Sequence, residues 1–251
     1  MAPIILYLNL LESATLTATG TESGYDVENI LDEKTFTYWK AAASGTNNLT
    51  ADLGSAVAAD TLAICGHNLK TVSATIYVEH SSDNSSWTTA ATLTPGSDKA
   101  LMLTFTGATK RYWRLRIVNF SGQPMIAVMY LGSKMQFEYP AETPQNIIDE
   151  GINAVEEMSK GGNFLGAVVN YKEAVLERTW IDFTRSWLVS YMDPFWDNHA
   201  SQKKNFFYAD DLSYASNICF YGRVPNDYRY TPAVERLDVI ASFSLRMIAT
   251  R

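Results

Sequence analysis

The chain has 251 residues, of which 47% are hydrophobic, 12% aromatic and 19% charged. That composition argues against disorder, supplies material for packed cores and leaves room for two domains of ordinary size. A formal net charge of -7 and a pI near 5.0 exclude the basic groove that holds a duplex, so no sequence-specific nucleic-acid binding is expected. No apolar run approaches the ~20 residues needed to span a bilayer, so membrane insertion is not expected either. The opening MAPIILYLNLL lacks the basic stretch and cleavage site of a secretory signal. Cys65 and Cys219 sit in apolar runs in different halves and read as small buried hydrophobes rather than a bridge. The expectation is a protein made and assembled in a reducing cytoplasm.

Taken in order, residues 4–11 read as an apolar strand and residues up to 24 as a Thr/Ser/Gly-rich segment. An Asn29-Ile30-Leu31-Asp32 turn leads to the aromatic pair Tyr38-Trp39 and then to the polar loop Ser44-Gly45-Thr46-Asn47-Asn48. Residues 49–53 alternate and stop at Gly54. Residues 61–65 are apolar and run into Gly66-His67-Asn68-Leu69. Turn clusters at 81–86, 95–98 and 121–124 separate further strands up to residue 133. Period-two alternation punctuated by Gly, Asn, Asp and Pro, without helical spacing, predicts an antiparallel β-sandwich or jelly roll.

Several of these landmarks, in this order, resemble the discoidin (coagulation factor type C) family of galactose-binding-like jelly rolls. They are Asn29-x-Leu31-Asp32, Thr37-x-Trp39, Asp52-Leu53-Gly54 and His67-Asn68, then the hairpin Val78-Glu79-His80-Ser81-Ser82-Asp83-Asn84-Ser85-Ser86-Trp87 with Asn84 in the usual Gly position. Arg111-Tyr112-Trp113-Arg114-Leu115 and the closing strand Ile126 to Gly132 complete the match, which covers roughly 10–133. The resemblance implies a sandwich over 1–134. It implies a structural calcium at the Asn-x-Leu-Asp turn with Asp32 and Thr37 as ligands, although the closing strand lacks the family's Glu. It also implies glycan binding by loops at one end of the sandwich, where Tyr25, Trp39, Asn47 and Asn48 are the candidates. Trp39 matches the family's core tryptophan, so packing is its expected duty.

The second half, 135–251, changes character. Residues 136–139 are strand-like and 140–144 read as a linker. Residues 153–159 and 163–171 face each other across Lys160-Gly161-Gly162, a Gly-Gly hairpin signal. Residues 173–183 continue extended. Thr184 then caps the one strong helix, 184–196, whose apolar set Trp187, Leu188, Tyr191, Met192, Phe195 and Trp196 shares a face, with a break expected at Pro194. Strand-like runs follow at 204–208, 217–224 and 236–247. A mainly β fold results, a jelly roll followed by a β-domain with one packed helix. This order of elements resembles the tail-tube-like domain of bacteriophage tail tube, distal tail and baseplate hub proteins. The resemblance implies a ring-shaped homo-oligomer in a virion tail, with tail tube, hub and tape measure proteins as partners. Trp187, Tyr191, Phe195, Trp196, Phe206, Phe207 and Tyr208 are the expected interface aromatics.

No HExxH, CxxC or paired-His spacing surrounds His67, His80 or His199, and no nucleophile elbow or phosphate loop is present. A catalytic role is therefore not expected, and no cofactor other than the possible calcium. Two functions remain. The first is a structural subunit of a phage tail tip or baseplate, its discoidin-like module peripheral and open to contact with host surface glycans. The alternative is a carbohydrate-binding adhesin or accessory module acting through the sandwich loops.

Overall fold

A computed structural model describes residues 2–42, 45–142, 149–213, 219–236 and 240–250. The chain divides into two compact units, 1–137 with 206–220, and 138–205 with 221–251. The boundary expected from sequence is 134/135, while the division falls after Phe137; 206–213 with 219–220, expected in the second half, group with the first unit.

The first unit holds β1 (Ile4–Leu6), β2 (Thr15–Ala18), β3 (Trp39–Lys40), β4 (Asn47–His67), β5 (Thr75–Ser81), β6 (Thr88–Leu93), β7 (Leu101–Val118), β8 (Met125–Gly132) and β9 (Met135–Gln136). Seven of these strands form an antiparallel sheet in the order β3-β8-β4-β7-β5-β6, with β2 added beside β4. The two strands expected at 49–53 and 61–65 are one bent strand, β4. Its register against β7 slips between Asp52 and Val57 and again between Ala59 and Thr61. Gly54, at φ +73, supplies the left-handed residue of the first irregularity, and its N–H donates to Asp52 Oδ1 at 2.8 Å. What looks in sequence like a turn is therefore a bulge that redirects the strand. The first half of β4 pairs with β2, and the second half pairs with β8 from Thr61↔Gly132 to His67↔Ile126.

Inside lie Trp39, Trp113, Ile64, Ile76, Leu115 and Ile117, each almost wholly buried. Trp39 packs here, with its indole N–H donating to Thr21 Oγ1. The apolar run at the start is shorter than its sequence suggests. After β1 the chain turns through a 3-10 segment, Leu10–Ser13, capped by Asn9. The Asn9 side chain also donates to Met129 O and accepts from Leu131 N–H, which ties it to β8. Gly132 ends β8 where a Cβ would lie 2.4 Å from Leu8 O, a separation no side chain tolerates.

The sheet's other face carries a polar ladder. Glu79 is 4% exposed and accepts from Arg114 Nε at 2.6 Å and from Arg116 Nη2 at 2.7 Å. Those guanidiniums in turn lie over the rings of Trp87 and Tyr77, at 4.1 and 4.0 Å. Burial pushes the Glu79 carboxyl up, but the hydrogen bonds from Arg116 and Arg114 outweigh it and leave the group below its ordinary range. One strand along, Arg111 grips Asp52 through two hydrogen bonds of 2.7 and 2.8 Å. In the β5–β6 hairpin, Asn84 adopts φ +57, a conformation that Asn tolerates better than most residues. Asp83 closes that turn by accepting from Ser85 N–H and Ser86 N–H.

The second unit is built on β10 (Asp149–Met158) and β11 (Phe164–Phe183), which form a hairpin across Gly162 at φ +79. From Ala174 onward β11 pairs with the terminal strand β15 (Ile240–Thr250), on which β13 (Phe220–Arg223) and β14 (Ala233–Arg236) also pair. The strand expected at 236–247 thus begins later, because Arg236 ends β14; residues 237–239, with 217–218 and 143–144 of the other expected elements, lie outside the described residues. Phe243, Leu245 and Met247 are buried while Ser242, Ser244 and Arg246 between them are half-exposed, as their alternation predicts.

The helix expected at 184–196 forms in three pieces: α1 (Arg185–Trp187), a π-helical stretch Leu188–Met192, and α2 (Asp193–Asn198). Thr184 caps it by accepting from Trp187 N–H, and Glu138 holds the cap through Thr184 N–H and Oγ1. Pro194 cannot donate to the preceding turn. It sits at the start of α2, where that donor is not required, and the widened π turn absorbs the break. The segment covers β11 and β15 with rings: Phe183 meets Trp187 at 4.8 Å and Trp180 stacks on Phe243 at 5.0 Å. The last strand of the first unit, β12 (Phe206–Ala209), pairs with β1, which pairs with β9.

Replacing Glu79 by Ala leaves two guanidiniums facing each other over one sheet position. The expected result is a loss of about 2 kcal/mol of stability, below the ~3–5 kcal/mol of breaking a fully buried pair because both arginines keep some solvent. Urea denaturation of the variant against wild type measures it, and an unchanged midpoint would show the ladder to be energetically idle.

Candidate functional site

Three loops of the first unit meet around the short strand β3. The backbone of 20–27 joins that of 38–42 through the Thr21↔Ala41 bridge, Glu22 N–H to Lys40 O at 2.9 Å, and a bond from Ala42 N–H to Gly20 O. The third loop, 122–124, is tied in by Ala41 N–H to Pro124 O, and by the Gln123 amide donating to Glu22 Oε2 at 2.6 Å and to Ala42 O. Asn68 anchors it from below, donating to Gln123 O and accepting from Met125 N–H. Asn29 holds the middle loop by donating to Tyr38 O. On this frame Tyr25 and Tyr38 stack with ring centroids 5.0 Å apart, both half-buried, and Lys40 Nζ lies 5.2 Å from the Tyr25 centroid. A hydrogen bond with Tyr25 raises the Tyr38 phenol above its ordinary range. Phe36, in the same loop as Tyr38, is 76% exposed. An apolar ring edge beside an amide, a carboxylate and an ammonium is a surface suited to polyhydroxylated ligands.

Of the residues named from sequence for glycan binding, Tyr25 stands in this cluster. Asn47 is 4% exposed, its Oδ1 packed 3.1 Å from where a Gly20 Cβ would stand. Asn48 is fastened to Thr19, donating its N–H to Thr19 Oγ1 and accepting Thr19 N–H at its carbonyl. Asn47 is thus withdrawn from solvent, and the backbone of Asn48 holds the end of the β2–β4 ladder. Ser44, in the same loop, lies outside the described residues. Glu22, Tyr38, Lys40 and Gln123 were missed. The Tyr-Trp pair at 38–39 was visible, but only the paired loops show that Tyr38 turns toward Tyr25 while Trp39 turns inward.

The expected calcium ligands do not make a cation site. The Asp32 carboxylate accepts from Thr37 Oγ1 and Lys34 N–H, and the Lys34 ammonium stands 3.5 Å from it. Glu33 accepts from the Tyr130 hydroxyl, on the closing strand where the family's Glu is missing. Calcium needs six or more oxygens, whereas here the Thr37 hydroxyl is spent on Asp32 and an ammonium stands beside that carboxylate, so these two side chains do not fit the ion. Among the described residues no group of three His, Cys, Asp or Glu side chains gathers elsewhere.

The expected interface aromatics are largely interior. Phe195, Phe206, Phe207 and Tyr208 are completely buried and Trp187 nearly so, which withdraws them from any subunit contact. Trp196 is half-buried against Tyr228 and Tyr230. Tyr191 alone of the set is exposed, at 50%. Cys219 falls with Cys65 in the first unit, and both thiols are free and buried. Burial pushes Cys65 up to about 12 and Cys219 upward as well, which removes their nucleophilic thiolate forms.

Residues 29–115 match the family model described as NedA-like, galactose-binding domain, of the coagulation factor type C group. This stretch is a galactose-binding-like domain. Solved structures similar to this half include chitosan-binding module 1 of a chitosanase/glucanase from Paenibacillus sp. IK-5, at 21% identity and TM-score 0.45, covering 50% of this chain and 98% of that one. A family 32 carbohydrate-binding module of AlyQ, in complex with 4,5-unsaturated mannuronic acid, matches at 27% identity and TM-score 0.41, covering 47% and 92%. A module from Clostridium perfringens in complex with GalNAc-beta-1,3-galactose matches at 15% identity and TM-score 0.44, covering 50% and 99%. No curated protein matches the chain.

His67, at the end of β4, shows how this domain is held together. Its Nε2 lies 2.9 Å from Lys99 O and its Nδ1 accepts from Leu69 N–H, a pattern that requires the neutral ring with the proton on Nε2. Burial lowers its pKa below 6.5, against the opposing pull of Lys99 O and Asp98. A folded-state pKa below the unfolded one means the unfolded chain takes up the proton first, so stability falls as pH drops through about 6.5. The urea midpoint is expected to decline between about pH 7 and pH 5 and to decline less in His67→Gln; equal slopes would assign the loss to other groups, His80 first among them.

Proposed function

We propose that the first unit is a carbohydrate-recognition module whose ligand lies on the Tyr25–Tyr38 cluster, flanked by Lys40, Glu22 and Gln123. The observation that carries this reading is the stacked, solvent-reached tyrosine pair at the meeting of three loops of a galactose-binding-like domain. A pyranose offers an apolar C–H face and a rim of hydroxyls. Rings take the face, and a carboxylate, an amide and an ammonium take the rim. The role proposed is binding without catalysis, with a surface or free oligosaccharide as the partner.

Of the two functions weighed from sequence, the carbohydrate-binding module is therefore preferred over the tail-tip subunit. The family match and the loop cluster both support it, whereas the assembly reading rests on the order of elements in the second half.

Titration calorimetry of the full chain against galacto-, manno- and glucosamine-type oligosaccharides tests the proposal. Tyr25→Ala and Tyr38→Ala should each weaken binding tenfold or more, about 1.4 kcal/mol, while the melting temperature stays unchanged. Asn47→Ala should act on stability instead. Absence of binding to any of the three classes by the wild-type chain, or binding that survives both tyrosine variants, would overturn the reading.

A further inference from the structure

The polar face of the first unit's sheet carries more positive charge than its own carboxylates use. On β7, Arg114 stands between Thr50 of β4 and Glu79 of β5, and Arg116 between Asn48 and Tyr77. One strand further out, Thr17 of β2 lies opposite Thr50 and is exposed. Neighbouring residues on a strand point to opposite faces, so this row lies on the side away from the buried Trp113, Leu115 and Ile117.

Two guanidiniums here share one carboxylate, which leaves one positive charge uncompensated. Glu79 takes Arg114 through Nε alone and Arg116 through Nε and Nη2. Both Nη groups of Arg114 and the Nη1 group of Arg116 are left without a protein acceptor among the described residues. The two side chains keep 20% and 26% of their surface in solvent, so those donors are within reach of a ligand. The rings of Trp87 and Tyr77, 4.1 and 4.0 Å away, hold the guanidinium groups in place beforehand, which lowers the ordering cost of binding. The other charges at this end of β7 cancel. Arg111 is spent on Asp52, and Lys110, which donates to Ser82, is balanced by Asp83 in the same turn. Desolvation offsets much of what a second guanidinium gains from a shared carboxylate, so stability alone is a weak reason for the pair.

The geometry selects a class of ligand. Arginines two residues apart on a strand stand about 6.7 Å from each other and present planar forks to an oxyanion. The hydroxyls of Thr50 and Thr17 follow in the same row, at ~4.8 Å per strand, and both donate and accept. An oxyanion set among hydroxyls is the chemistry of an acidic sugar. A polyphosphate chain fits less well. One surplus charge in a chain of net charge -7 attracts it weakly, and guanidiniums already cover one face of each ring on which bases would stack.

We propose that the Arg114–Arg116 pair and the threonine row beside it form a second binding site on the first unit, for an acidic polysaccharide held by its carboxylate or sulfate groups. The site uses none of Tyr25, Tyr38, Lys40, Glu22 or Gln123, so it stands or falls separately from the loop cluster.

Titration calorimetry of the full chain at low ionic strength, where exposed charges are least screened, tests it with polygalacturonate, dextran sulfate and oligothymidylate as probes. Wild type should bind at least one of the two acidic polysaccharides; the polygalacturonate arm reads carboxylate recognition and the dextran sulfate arm reads sulfate recognition. Arg116→Gln, which leaves Glu79 its bond to Arg114, should weaken that binding tenfold or more. Thr17→Glu, an exposed change that touches no ladder residue, should do the same with an unchanged melting temperature, which separates loss of ligand from loss of fold. Tyr25→Ala should leave it within about twofold. Failure to bind either polysaccharide, or binding that survives either of the first two variants, would overturn the proposal. So would oligothymidylate binding as tight as that of the polysaccharides, which would mark a general attraction for polyanions, or loss of acidic-polysaccharide binding in Tyr25→Ala, which would assign it to the loops.

Discussion

The first unit depends on the pairing of β4 with β7, which runs from Asn47↔Ile117 to Ile64↔Leu101 through two slips of register. Each strand is longer than an ordinary sheet accommodates without bending. The slips divide the ladder into an arm that receives β2 and β5 and an arm that receives β8. Gly54 allows the bend, and the Asp52–Arg111 fork clamps the ladder beside it. Asp52 accepts from Arg111 first and from Gly54 N–H second, which together hold its carboxyl down at about 2. The Asp-Leu-Gly and Arg-Tyr-Trp-Arg-Leu motifs, nearly sixty residues apart in sequence, are thus the two halves of one interaction.

Because β8 is held by β4 and β3 by β8, strand pairing brings the loops at 38–42 and 122–124 together, and the Thr21↔Ala41 bridge with the Gln123–Glu22 hydrogen bond adds 20–27 to them. Trp39 belongs to the core, while Tyr38 and Lys40 on either side point the other way, as the alternation of a strand requires. The proposed binding surface thus lies on the reverse side of a buried tryptophan, so a residue of the core and the residues proposed to meet a ligand are adjacent in sequence.

The periodic features of the fold were legible in the sequence. The sandwich, the Gly-Gly hairpin, the Thr184 cap and the alternation along β15 all follow from local chemistry that acts within a few residues. The long-range features were not. Residues 49–53 and 61–65 looked like two strands because a bulge and a turn are written with the same small residues. Phe206, Phe207 and Tyr208 resembled interface aromatics because sequence shows how many rings there are but not which sheet receives them. In the structure, β12 lies against β1 from the other end of the chain. Tyr25 was identifiable as a loop aromatic, whereas Glu22 and Gln123, a hundred residues apart, became part of one site only through a hydrogen bond that no spacing encodes.

The two units handle apolar surface in opposite ways. In the first, the hydrophobic positions of long strands face inward, and its polar outer ladder is satisfied by Glu79 and its two arginines. In the second, the aromatic core of Trp180, Phe183, Trp187 and Phe243 is equally closed, yet β11 continues past it for about half its length with valines, leucine and phenylalanine uncovered. Hydrophobic burial is the main favourable term in folding, so a strand that extends beyond its own sheet forfeits that term for every residue it leaves outside. Among the described residues no third strand covers that part of the ribbon, and the exposed Glu156 and Glu157 place charge along its edge, a feature that discourages edge-to-edge pairing of strands.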